Sequence, residues 1–345
     1  MTPSLSSPEN ILELRGVKKF FPVRRGLLQR HVAVVRAVDG VDLDIRRGET
    51  LSLVGESGSG KSTLGRLVAS LDTASAGEIL FADGNGAAVD IARLPASGVK
   101  ALRRKIQLIF QDPYASLNPR MTTEQIIAEP LRVNGIASGK ALAELVRMQI
   151  EQVGLRADQL DNYPHEFSGG QRQRIGIARA LAINPQLVIA DEPVSALDTS
   201  VQAQVLNLLT DLSREKALTL LFISHDLSVV RHISDRIAVM YLGRIVEVSE
   251  TSRLFAAPKH PYSEALISVT PSPDPRLRRK RIVLEGEIPN PISPPSGCAF
   301  HPRCRYATDL CKAERPPLAG VGEGRKVACH HAEALDLQGL KGDVA

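Results

Sequence analysis

The stretch GESGSGKS, residues 55–62, decides how this chain is read. A short apolar run, LSLV (51–54), enters it, and STLGRLVASL (62–71) leaves it with the spacing of a helix. Strand, glycine-rich turn and helix in this order fit G-x-x-x-x-G-K-[ST], a loop built to hold phosphate. Glycine lets the backbone curl until successive N–H groups converge on one anion, and the N-terminus of the following helix adds its positive end. Lys61 supplies a mobile cation for the outer phosphates, and the Ser62 hydroxyl is placed for a magnesium ion. Gly55, Glu56, Ser57, Gly58, Ser59, Gly60 and Thr63 complete the candidate cradle.

A second stretch, LVIADEP (187–193), gives the loop its counterpart. An apolar strand ends in two carboxylates. Asp191 is the candidate for the Mg²⁺ shell and Glu192 the candidate to polarise an attacking water. An isolated Asp-Glu pair at a strand end is common; beside a phosphate loop it points to nucleotide hydrolysis.

The rest of the chain supports an α/β core. VDLDI (41–45) alternates like a half-buried strand, LVIA (187–190) and LTLLFIS (218–224) read as buried strands, and RIAVMYLGRIVEV (236–248) reads as a hairpin turning at Leu242-Gly243. Residues 11–48 read as short β-like runs separated by turns. Residues 113–180 read as mostly helical, with a stripe at Leu142, Leu145, Val146, Gln149 and Ile150. Val201, Val205, Leu208, Leu209 and Leu212 mark another helix. Alternating strands and helices imply a largely parallel sheet covered on both faces. The chain has 345 residues, 43% of them hydrophobic, with a net charge of +5, which suits a globular protein and is too small a charge to name nucleic acid as partner. No leader and no apolar run of membrane-spanning length is legible, so a soluble cytosolic chain is expected.

FSGGQRQR (167–174), taken with the two motifs above, resembles the ATPase subunits of ABC transporters. The resemblance implies a P-loop NTPase of ABC type: a RecA-like core, an antiparallel β subdomain and a helical subdomain at about 113–180. It also implies roles for further residues. Gln111 in IFQDP looks like the Q-loop glutamine that touches Mg²⁺, and SALD (195–198), ending in Asp198, looks like the D-loop. His225 in FISHD looks like the switch histidine on the γ-phosphate. Phe21 is the candidate adenine-stacking aromatic, with Phe20 next. Ser168, Gly169, Gly170 and Gln171 begin a helix and form a second anion site. In the family that site completes the ATP pocket of a second subunit in a head-to-tail dimer.

FQDPYASLNPRMT (110–122), DEPVSALDTSVQAQVLNLL (191–209) and PKHPYSEAL (258–266) narrow the likeness to the dipeptide/oligopeptide importer branch. FFPVRRG (20–26) suits its F-type subunit. That resemblance implies ATP and Mg²⁺ as ligands, a D-type ATPase partner, two membrane permeases, a substrate-binding protein beyond them, and a peripheral place on the cytoplasmic face of the inner membrane. Importers of nickel or glutathione, and ABC ATPases outside transport, are the alternatives. Against the last, Lys61 and Ser168 stand too close for an inserted coiled coil, and a single P-loop is visible.

The texture changes near residue 270, which divides the expected ATPase domain (1–270) from a C-terminal extension (271–345). All four cysteines lie in this extension, as C-x5-C-x6-C-x17-C at Cys298, Cys304, Cys311 and Cys329. The spacing is wider than the paired cysteines of zinc ribbons. A cubane needs one thiolate per iron, and the family resemblance points to a [4Fe–4S] cluster on these four residues. Zinc, with His301, His330 or His331, and unmetallated thiols remain open. A proline-rich tail with little core of its own would gain from a metal staple. The basic run RLRRKR (276–281) reads as a solvated face, with lipid headgroups the alternative.

Overall fold

The computed structural model describes residues 5–7, 9–25, 30–82, 88–270 and 281–340. The basic run at 276–280 and the segment 271–275 lie outside the described residues. Two compact units divide the chain: Met1–Ala92 with Ser224–Ala345, and Arg93–Ile223.

In chain order the first unit opens with β1 (Asn10–Arg25), β2 (Arg30–Arg46), β3 (Thr50–Val54), α1 (Lys61–Val68), β4 (Ala76–Ala82) and β5 (Ala88–Asp90). The second unit carries α2 (Ala96–Leu102), β6 (Ile106–Ile109), α3 (Pro113–Ser116), α4 (Thr123–Val133), α5 (Gly139–Gln152), α6 (Gly169–Leu181), β7 (Leu187–Asp191), α7 (Thr199–Glu215) and β8 (Thr219–Ser224). The first unit then resumes with α8 (Leu227–Ile233), β9 (Arg236–Tyr241), β10 (Arg244–Glu250), α9 (Thr251–Ala256) and α10 (Pro261–Ser268). It ends with α11 (Asp309–Ala313), β11 (Ala319–Gly320) and β12 (Lys326–Val327).

The first unit contains an antiparallel sheet in the order β2-β1-β4-β5. Residues 11–48 differ from the short runs expected of them: β1 and β2 are 16 and 17 residues long. Register shifts, among them those between Leu14 and Val17 and between Lys19 and Phe20, let the two strands stay paired. Such bulges break the simple alternation that periodicity relies on. Beside this sheet β3 pairs in parallel with β9, and β9 pairs with β10 across a tight hairpin. Leu242 and Gly243 both take positive φ, 45° and 79°, as a two-residue turn between antiparallel strands requires.

In the second unit β6, β7 and β8 are parallel neighbours. Leu187, Val188, Ile189 and Ala190 on β7 are fully buried, which explains the unbroken apolar run in the sequence. The helical stretch appears as expected, with Leu142, Val146 and Ile150 forming the buried face of α5. A capping box of Thr122 and Gln125 starts α4. The helix after the phosphate loop is shorter than expected. It stops at Val68, and Ser70 adopts φ 52°, a left-handed exit that no further helical turn can follow.

The extension is better anchored than its composition suggests. β12 pairs with β10, and β11 with β12. Phe300, Val327, Leu337 and Leu340 are buried. Part of its core is therefore shared with the rest of the first unit, a contact that a local reading of a proline-rich tail cannot see.

Candidate functional site

The phosphate loop joins β3 to α1 in the first unit. Gly60 caps α1 in a left-handed conformation, φ 105°. A Cβ there would stand 2.1 Å from the Ala37 carbonyl oxygen, and one on Gly55 2.1 Å from that of Met240. Both positions are closed to any side chain, so the loop can bring its backbone against a ligand only with glycine. Lys61 is 4% exposed. Its Nζ donates to the carbonyls of Gly55, at 2.8 Å, and Glu56, at 3.0 Å. The hairpin tip braces the loop from behind, where the Gly243 N–H donates to the Ser59 carbonyl at 2.8 Å. The Ser59 hydroxyl is buried without a hydrogen-bond partner among the described residues. A polar cradle that fits a phosphate and is shut to Cβ atoms is what a nucleotide needs here.

Also in this unit, Phe21 lies on β1, 38% exposed, with Lys19 Nζ 4.9 Å from its ring centre. Phe20 is half-buried and its N–H donates to Ser75 Oγ. His225 is exposed and stands just before α8, whose cap is Asp226.

The second unit gathers the other candidates. Glu192 follows β7 with φ 46°, an unusual conformation for a side chain of its size. Its N–H donates to the Ile223 carbonyl at 2.9 Å. Gln111, just past β6, donates from Nε2 to Glu192 Oε2 at 3.1 Å. The parallel pairing of β6 and β7 aligns the two strand ends, so residues 81 positions apart meet. Ser168 caps α6: its Oγ accepts from the Gln171 N–H, and the Gln171 side chain accepts from the Ser168 N–H. Both signature polar side chains are thus used to begin the helix. Gly169 and Gly170 let α6 approach the segment after β7. A Cβ on Gly169 would lie 3.2 Å from Leu197, and one on Gly170 2.2 Å from Val201. Asp198 caps α7 without a side-chain hydrogen bond to the helix.

The four cysteines of the extension line one small cavity together with His301, His330 and His331. Burial pushes the Cys304 and Cys329 thiols up to about 11 and raises that of Cys298. The other three sulfurs add to the shift at Cys304. The histidines each spend a ring nitrogen elsewhere: His301 on the Cys298 carbonyl, His330 on the Glu314 carbonyl, His331 on Thr308 Oγ1. Among the described residues no group of three or more His, Cys, Asp or Glu side chains is arranged to hold a metal ion. Four thiols face one cavity, and they are not set as the ligands of a single ion.

Two residues that the sequence reading did not single out touch the loop. The Tyr262 hydroxyl accepts the Glu56 N–H at 2.8 Å, and Arg303 forms an ion pair with the Glu56 carboxylate at 2.7 Å. Tyr262 lies in PKHPYSEAL, which marked the branch without suggesting a role.

The loop, the strand-end carboxylates and the capped signature helix together define an ATP-binding cassette. The model of the ABC transporter family matches residues 38–195, and that of the oligopeptide/dipeptide transporter C-terminal region matches residues 246–311. A probable peptide ABC transporter ATP-binding protein of Sinorhizobium fredii is 53% identical over 93% of this chain and 89% of its own. The oligopeptide transport ATP-binding protein AppF of Bacillus subtilis is 52% identical over 94% of this chain and 98% of its own. A solved dimeric ATP-binding cassette, MJ0796 with ADP and phosphate, superposes with a TM-score of 0.61 at 30% identity, covering 70% of this chain and 98% of that one. The chain belongs to the ATP-binding subunits of ABC transporters, in the branch that carries the oligopeptide/dipeptide C-terminal region, and its fold is that of the ABC ATPase cassette.

Proposed function

We propose that this chain hydrolyses ATP to power the import of di- and oligopeptides, as the F-type member of a pair of ATPases beneath two membrane permeases. Relatives of about half identical sequence are described as peptide transport subunits, and this supports the cargo class. No described helix is long and apolar enough to cross a membrane. The pairing with a second ATPase subunit draws support from the dimeric cassette that superposes on this fold, and a D-type partner in head-to-tail contact is the form we propose for it.

Lys61 and the N–H groups of residues 55–63 bind the phosphates, and Phe21 stacks on the adenine. Ser62, Gln111 and Asp191 are the residues that would hold Mg²⁺, which neutralises charge on the outer phosphates when bound. Glu192 takes a proton from a water whose oxygen attacks the γ-phosphorus as the bond to ADP breaks. His225 steadies the γ-phosphate. Ser168, Gly169, Gly170, Gln171 and Asp198 serve the ATP held by the partner subunit. Binding closes the dimer and hydrolysis reopens it, so the energy released appears as movement of the permeases.

The observation that carries this reading is the Glu192 carboxylate held by Gln111 at the end of β7. The experiment is Glu192→Gln. The variant binds ATP, turns over ~10²–10⁴-fold more slowly, and accumulates as a closed dimer. Turnover at the wild-type rate would defeat the assignment.

For the extension we propose a [4Fe–4S] cluster on Cys298, Cys304, Cys311 and Cys329. The support is chemical. Four thiols facing one cavity, three half-buried and that of Cys311 buried, with their histidine neighbours engaged elsewhere, suit a polynuclear group better than a lone zinc ion. The cluster would serve structure or redox sensing, apart from hydrolysis. Anaerobic purification followed by iron, sulfide and zinc assays tests it. Four irons with matching sulfide are expected, and one zinc without iron would overturn it.

A further inference from the structure

Glu56, the second residue of the phosphate loop, is gripped from three directions. Its N–H donates to Tyr262 Oη at 2.8 Å and its carbonyl accepts from Lys61 Nζ at 3.0 Å. Its carboxylate accepts two hydrogen bonds from Arg303, from Nη1 at 2.7 Å and Nη2 at 3.1 Å. Arg303 comes from the cysteine segment, 247 residues away in sequence and next to Cys304. Its side chain is only 7% exposed. The guanidinium lies 6.0 Å from the centre of the Tyr241 ring. That ring packs on Tyr262 at 4.7 Å and on Phe300 at 5.2 Å. Phe300 and Arg303 therefore enter together, one as an apolar wedge and one as a two-pronged clamp.

This pair differs from a surface ion pair in what it controls. A bare carboxylate within a phosphate cradle repels the polyanion that the cradle binds. A bidentate guanidinium neutralises it and fixes its direction, which a lysine's point charge does less well. We infer that Arg303 is a positioning residue for ATP binding: it acts through Glu56, and it couples the cysteine segment to the phosphate loop. The inference rests on the ATPase reading above. Coupling is reciprocal, so nucleotide in the loop also steadies the segment that carries Arg303.

The test uses the full chain as purified. Affinity for a fluorescent ATP analogue is measured first on the wild type, and no binding there would sink the ATPase reading itself. Arg303→Ala is expected to weaken binding roughly tenfold, within the range of ordinary coupling. Arg303→Lys should recover part of the loss. Arg303→Ala with Glu56→Ala should bind no worse than Arg303→Ala alone, because the orphaned carboxylate is gone. Hydrogen–deuterium exchange at residues 296–312 supplies a readout that simple destabilisation would not move. Saturating ADP with Mg²⁺ slows it in the wild type and leaves it unchanged in Arg303→Ala. Wild-type affinity in Arg303→Ala, losses that add fully in the double variant, or exchange indifferent to ADP in the wild type would each overturn the inference while leaving the ATPase reading intact.

Discussion

Gln111 Nε2 donates to Glu192 Oε2 across 3.1 Å, linking the ends of two parallel strands. Glu192 holds a left-handed backbone conformation at φ 46°, a strain that persists only when its surroundings fix it. The hydrogen bond to Ile223 fixes the backbone and Gln111 fixes the carboxylate. Removing the glutamine leaves the proposed base in place and loosens its aim. Gln111→Ala should lower kcat by roughly 10–100-fold, the usual cost of losing an orienting partner, with a smaller change in KM for ATP. Steady-state kinetics at several Mg²⁺ concentrations would check it, and an unchanged kcat would remove Gln111 from the mechanism.

The residues that were legible in the sequence are those whose chemistry is local. The loop announces itself by glycines that its own φ angles require, the hairpin by Leu242-Gly243, and α6 by the signature FSGGQRQR at its start. The length of β1 and β2 was hidden because bulges interrupt the alternation that periodicity reads. The anchoring of the extension was hidden for a different reason. Arg303 with Glu56, and β12 with β10, are meetings between distant parts of the chain, and neither partner carries a pattern that points to the other. Four cysteines in one tail were easy to see, but their spacing alone does not say how the sulfurs are arranged.

The close approach of Gly170 to Val201 gives a packing prediction. A Cβ at Gly170 would meet Val201 Cγ1 at 2.2 Å, too near to be absorbed without movement. Gly170→Ala should therefore cost about 1–3 kcal/mol, the range for overpacking. Adding Val201→Ala opens the space and should return most of it. Urea denaturation of the two variants decides, and a single variant as stable as the wild type would mean that α6 shifts freely away from α7.

Glu13 sets the behaviour of the antiparallel sheet in acid. Burial alone would raise its carboxyl, but hydrogen bonds from Ser6, Asn10 and Arg15 outweigh it and hold the group at about 2, against 4.5 in the open chain. The unfolded chain thus binds the proton first. The stability that Glu13 contributes is complete above about pH 4.5 and is lost as pH falls toward 2, with a slope of at most ~1.4 kcal/mol per pH unit. Glu13→Gln should cost about 1–2 kcal/mol near neutrality. It should also flatten the acid limb, so that its curve and that of the wild type converge near pH 3. Parallel curves from pH 6 to pH 3 would show that the hydrogen bonds do not hold Glu13 as described.

Arg325 offers a way to ask whether the extension is an appendage or part of the ATPase core. Glu247 on β10 is fully buried and receives the N–H groups of Lys259 and His260, each at 2.9 Å. Its charge partner is Arg325, which precedes β12 and sits 3.1 Å away with 8% of its side chain exposed. Burial raises the Glu247 carboxyl despite these contacts, so the group is poorly placed to stand alone. Arg325→Ala should destabilise the first unit by about 3–5 kcal/mol, the cost of stranding a buried charge. Arg325→Ala with Glu247→Gln should cost distinctly less than Arg325→Ala alone, since the neutral amide no longer needs a cation. If Arg325→Ala instead left the unfolding midpoint unchanged and only sped proteolysis after residue 270, the extension would be a separable attachment. A large fall in the midpoint, partly restored by the second substitution, would show that β10 and β12 fold as one structure.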